Sequence, residues 1–369
     1  MRLASVVCVF LTAGATSAAD LKPLSSAEFC GRCHRAIVDA WKTSVHAKAM
    51  ESPLFQDALE LTETRFGSSA RTVCLECHSP IAVLTNDTSL RQKVSWEGVT
   101  CDYCHSLRDV SFSGKNPKAK VEFSLVKSGP IKDAEAPVHG TVFSPVHLSS
   151  AACAPCHEYR NPQGFPVLTT YSEWKNSRYA KSEKQCQSCH MYRVKGDVVD
   201  PKVHKSATAK VNLHQMPGSH SLEQLNSTIK ARLSTSREGD SLKLTVVVSN
   251  VAAGHYVPTG SPMRQLLLDV HADSYDGKHF QEERRYARTV ADQQGKTVDL
   301  EPLAFMSGAR VVSDTRLAPD ETRTETFSFP VPSGVKAQVR VELRYYYSPL
   351  ATTEAQKQLT FLTLRRLVP

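Results

Sequence analysis

Ten of the eleven cysteines stand in pairs of fixed spacing, and each pair is followed at once by histidine. The pairs are Cys30 and Cys33 before His34, Cys74 and Cys77 before His78, Cys101 and Cys104 before His105, Cys153 and Cys156 before His157, and Cys186 and Cys189 before His190. Paired cysteines form disulfides in exported chains, and two C-x-x-C pairs can enclose zinc. Neither chemistry requires a histidine after every second cysteine. Covalent haem attachment does: the two thiols bond to the porphyrin edge and the next residue ligates the iron from below. The repeat therefore predicts five haem c groups held by these ten cysteines, with His34, His78, His105, His157 and His190 as proximal ligands.

The sixth ligand separates an electron carrier from an enzyme, because a second histidine closes the iron whereas an open face admits substrate. Candidates are His46, His139, His147, His214 and His220, with His204 in a polar stretch as a further one. His46 lies twelve residues beyond His34; on one straight helix that is about 18 Å of rise, too far for one iron, so His46 is expected on a different haem. His255, in the Gly- and Pro-rich segment 250–262, is expected mainly to dock one part of the chain on another, with an iron-facing role as the alternative. His271 and His279 are expected at the surface. Met191, fixed beside His190, is expected to pack on a ring. No residue is nominated as catalytic.

A second repeat frames the distal question. Trp41-Lys42-x-Ser44-x-His46 recurs as Trp174-Lys175-x-Ser177-x-Tyr179, with tyrosine where the first copy has histidine. A phenol, with a reference pKa near ~10, competes poorly for iron while protonated. Tyr179 is expected to pack against a ring or hydrogen-bond a haem propionate rather than to ligate, with the lining of an open distal pocket as the alternative.

The elements that must position these residues change character along the chain. Residues 1–19 have one arginine, an apolar run and then small residues, the layout of a secretory signal peptide; Cys8 falls inside that run. No later apolar stretch approaches the ~20 residues of a membrane span. Residues 20–224 carry all five motifs and read as short helices at 35–50, 51–66 and 170–183 joined by long loops, the segment 112–140 among them. Residues 225–369 carry no motif and alternate with a period of two at 241–250, 264–272, 322–331, 337–347 and 357–367, which predicts a haem-free β-sandwich. The expected fold is a mainly α multihaem domain with long loops, followed by an all-β domain. The formal net charge of +8 is largely taken up by the propionates of five haems, so it does not argue for nucleic acid.

The five motifs, the two Trp-Lys-x-Ser units and the His214 to His220 tail together resemble multihaem c-type cytochromes related to cytochrome c554, in a pentahaem form with an appended β domain. The resemblance implies that His46 is the distal ligand of a neighbouring haem and that the rings stack in close pairs. The expected function is a periplasmic electron relay between redox proteins of the cell envelope, with an outer-surface or extracellular site and a homo-oligomer or filament as compatible variants. The alternative is an oxidoreductase acting on nitrite, hydroxylamine or a related nitrogen or sulfur substrate at one open haem.

Overall fold

The computed structural model describes residues 22–205 and 209–369; the signal-peptide segment 1–19 lies outside them. The haem region is built from short helices, several of which coincide with a motif: Arg71–His78, Cys101–His105, Ala154–His157 and Cys186–His190. The first motif is reached through the helix Ala27–Cys30, whose start is capped by Ser26 Oγ accepting from the Phe29 N–H. A helical turn puts both cysteines and the following histidine along one side, as the motif requires.

The helix expected over 35–50 stops at Lys42. Its inner face is Val38 and Trp41, both buried, and hydroxyls end it: Thr43 Oγ1 donates to Ala40 O while Ser44 Oγ accepts the Ala47 N–H at 3.0 Å. Local side-chain bonds of this kind compete with the helical ladder. The straight-helix distance between His34 and His46 therefore does not apply, because the chain turns between them. The helix expected over 51–66 spans Pro53–Phe66, with proline at its first position. The region expected as loop holds short strands. Lys118–Val121 pairs antiparallel with Leu107–Ser111, and Val126–Gly129 pairs parallel with Gly140–Phe143.

From Ile229 onward the chain forms two antiparallel sheets. One has three strands in the order Thr322–Phe329, Ser241–Asn250, Ile229–Glu238; the other has five in the order Arg310–Asp314, His279–Ala291, Gln265–Ser274, Ala337–Tyr346, Gln358–Val368. In Ser241–Asn250 burial alternates strictly, and Leu242, Leu244, Val246 and Val248 are fully buried against Leu266, Leu268, Val339 and Val341 of the facing sheet. At roughly 1.5–3 kcal/mol for each such side chain, this apolar layer is the main driving force of the β domain. Asp269 is buried within the larger sheet, where Arg344 Nε reaches it at 2.5 Å from the adjoining strand. The mainly α region followed by antiparallel sheets matches the expected fold class. Among the described residues no helix is long and apolar enough to cross a membrane.

Candidate haem-binding site

The motif residues converge on one cavity of 1770 Å³, lined by the cysteines of the first four motifs together with His34, His78, His105 and His157. This exceeds the ~300–1,000 Å³ of a pocket for one small molecule. No disulfide joins any of the ten motif cysteines, and no three of the described His, Cys, Asp and Glu side chains converge as a metal cage would require. Burial pushes the imidazoles of His78 and His190 down to about 4 and those of His105 and His157 to about 3. Each is neutral near pH 7 and keeps the lone pair a metal needs.

Backbone carbonyls orient these rings. His34 Nδ1 bonds Val198 O at 2.6 Å, His78 Nδ1 bonds Ala49 O at 3.3 Å and His105 Nδ1 bonds Ser128 O at 2.8 Å. A histidine that spends its Nδ1 hydrogen on a carbonyl presents Nε2 as the ligand atom, the usual outer-shell arrangement at metal-binding histidines.

Two imidazoles bonded to one metal at about 2 Å each place their ring centres roughly 6 Å apart on opposite sides. Four motif histidines have a histidine ring at that separation. His34 stands 6.2 Å from His139, His157 6.3 Å from His46, His190 6.3 Å from His255, and His105 6.4 Å from His214. Three of the four facing rings also tie Nδ1 to a carbonyl: His139 to Gly140 O, His214 to Asn212 O and His255 to Tyr256 O. The fourth, His46, has Nδ1 at 3.0 Å from Met216 Sδ.

The remaining candidates sit differently. His147 is 5.7 Å from His105, but its Nε2 is committed to Cys104 O at 2.9 Å while Nδ1 is buried without a partner. The ring close to His220 is Tyr347, edge-on at 5.4 Å. His204 is exposed. No described histidine ring stands opposite His78 at ligand separation; instead Phe55 stacks on it at 3.9 Å.

The two Trp-Lys-x-Ser units prove to be the same turn. Each indole donates to a distant carbonyl, Trp41 to Val99 O and Trp174 to Lys184 O. Each serine Oγ accepts a backbone N–H just ahead, from Ala47 in one and Tyr179 in the other. In the first copy the turn delivers His46 beside His157. Gly98 (φ +67°) makes room for it, since a Cβ there would lie 2.2 Å from His46 O. In the second copy Tyr179 packs on the β domain: its hydroxyl donates to Val251 O, and a Cβ at Gly254 would meet Tyr179 and Trp174 at 3.1 and 3.2 Å. The next residue, His255, is the one that faces His190. The loop thus docks on the haem region and sets the His255 ring opposite His190.

A family model described as cytochrome c554 and c-prime matches residues 29–106, a stretch with the first three motifs. A penta-haem cytochrome c552 from Thermochromatium tepidum superposes with a TM-score of 0.73 at 25% identity, over 94% of this chain and 99% of that one. The ApaA protein of Bordetella pertussis aligns at 11% identity over 37% of this chain and 89% of its own, with a TM-score of 0.20 that carries no argument. No curated protein matches the sequence. The repeated motifs, the converging cavity, the family match and the likeness to the penta-haem cytochrome c552 identify a multihaem c-type cytochrome domain related to cytochromes c554 and c552, followed by a β domain.

Proposed function

We propose that the protein is an exported pentahaem electron relay of the cell envelope, passing electrons between a donor and an acceptor protein. The five C-x-x-C-H motifs hold the haems. His139, His214, His46 and His255 close the irons of His34, His105, His157 and His190. Haem bound in this way supplies one-electron chemistry without a ligand having to leave. The observation that carries the reading is the set of four facing imidazole pairs at 6.2 to 6.4 Å. The chain's own part is to fix six of the rings, those of His34, His78, His105, His139, His214 and His255, through Nδ1 bonds to carbonyls and to hold the motif helices close enough for a continuous path.

A second reading is favoured by His78, which has Phe55 on its ring and no histidine opposite among the described residues. Its iron would be open on one face, a place for a small nitrogen or sulfur compound. Low-temperature electron paramagnetic resonance of the oxidised protein, with carbon monoxide added to the reduced form, tests both readings. Four low-spin components, one high-spin component and carbon monoxide bound at one haem are the expected result. Five low-spin haems inert to carbon monoxide would remove the second reading, and several high-spin haems would remove the ligand set and with it the relay.

A further inference from the structure

Arg264, in the cavity wall, has no ion-pair partner among the described residues. Arg264 precedes the strand Gln265–Ser274 and folds back over Gly260, whose positive φ of +86° and missing Cβ leave room: a Cβ there would lie 2.6 Å from Nη1. Nη1 donates to Thr259 O at 3.0 Å and the guanidinium lies 5.3 Å from the centre of the Tyr347 ring, but it makes no ion pair with any described carboxylate. Tyr345, Tyr347, His220 and Glu301 line the same cavity. Glu301 Oε2 is buried without a hydrogen-bond partner, and so is Ser219 Oγ next to this wall. A guanidinium stays charged and is costly to bury alone; a cation–π contact offsets about 0.5–2 kcal/mol of that cost. An anion is the missing component.

We propose that Arg264, Tyr347 and His220 form a binding site for one small oxyanion, a carboxylate or an oxyanion of nitrogen or sulfur, beside the His78 and His157 motifs. His78 and His157 line the same cavity as these three residues. The carboxylate could be a propionate of a bound haem; a free oxyanion would be a ligand directed at the open iron, and that version rests on the second reading above. Arginine suits either, because its planar fork matches two oxygens at once. The β domain supplies Arg264 and Tyr347 and the haem region supplies His220, so the site is complete only with both.

The test uses the holoprotein. Sodium nitrite is titrated into the oxidised form against matched sodium chloride, the Soret band is followed, and haem midpoint potentials are measured for the parent and for Arg264→Gln. A saturable nitrite response, weakened roughly thirtyfold or more in Arg264→Gln, identifies a free-anion site. No nitrite response but a lowered potential at one haem in Arg264→Gln identifies a propionate partner. If neither effect is seen, the proposal is overturned and Glu301 is left as the counter-charge. If Arg264→Gln loses haem, Arg264→Lys is read in the same assays, where unchanged affinity and potentials would overturn the two-oxygen fork. Carbon monoxide, being neutral, needs no guanidinium: its failure to bind the reduced parent protein removes the open iron but leaves the anion titration valid.

Discussion

His46 and Tyr179 stand at the same place after the same turn, and their chemistry sends them to different partners. Imidazole brings a lone pair to the cavity beside His157; the phenol O–H makes a hydrogen bond to Val251 O. Replacing His46 with Ala should convert one haem to high spin and create a fraction that binds carbon monoxide, seen by paramagnetic resonance and optical titration. Tyr179→Phe removes two long, exposed hydrogen bonds of 3.3 Å, one donated to Val251 O and one accepted from Arg178 Nη2, so it should leave every spin state unchanged and cost no more than about 1 kcal/mol in denaturant melts. On the proposed ligand set the motif histidines are legible from spacing alone, because attachment is a local pattern. Distal partners are set by tertiary contacts, which is why His147 and His214 looked equivalent in the sequence. Their difference lies in which ring nitrogen is already spent, Nε2 of His147 on Cys104 O and Nδ1 of His214 on Asn212 O. For His220 the sequence held no sign of Tyr347.

Among elements, the loop between the strands Ser241–Asn250 and Gln265–Ser274 does more than connect them. Asn250 pins it, donating through Nδ2 to His255 O and accepting the Ala253 N–H. Gly254 then brings the backbone against Tyr179 and Trp174 so closely that an added Cβ would force them apart. Gly254→Ala should push the loop outward by a few tenths of an ångström or more, at a cost of about 1–3 kcal/mol. The expected signature is a change in the low-spin signal of the haem at His190 with the other haems unaltered. Strands with a clean apolar alternation, such as Ser241–Asn250 and Ala337–Tyr346, could be read directly. Ile229–Glu238 and His279–Ala291 could not, since their inward positions are diluted by Thr, Arg and Glu that meet partners on neighbouring strands. The helix 35–50 was overextended because an apolar period does not register a serine that captures a backbone N–H.

At the scale of the molecule the two regions are joined by a buried ion cluster. Glu173, on the helix Thr170–Lys175 before the fifth motif, meets Arg316 of the β domain at 2.8 Å, and both side chains are under 10% exposed. Arg316 also grips Asp314 at 2.8 Å, while Glu173 Oε2 accepts the Tyr256 N–H and the Thr259 hydroxyl. Removing one member leaves a charge stranded in the seam, so Glu173→Gln or Arg316→Met should destabilise the holoprotein by about 3–5 kcal/mol in denaturant melts. The same change should loosen His255 and disturb the haem at His190 before the others. Change of composition located the two regions in the sequence; the seam was invisible there, because Glu173 and Arg316 are ordinary surface types until folding brings them together. On the proposed ligand set, the loop that carries His255 also orders events in time. A chain delivered from its N-terminus presents the fifth motif before it presents the partner of His190, and that partner takes its place only once the β loop has seated on Tyr179. Closure of the last iron thus marks a finished molecule, and a product cut short within the β domain announces the defect in its own visible spectrum.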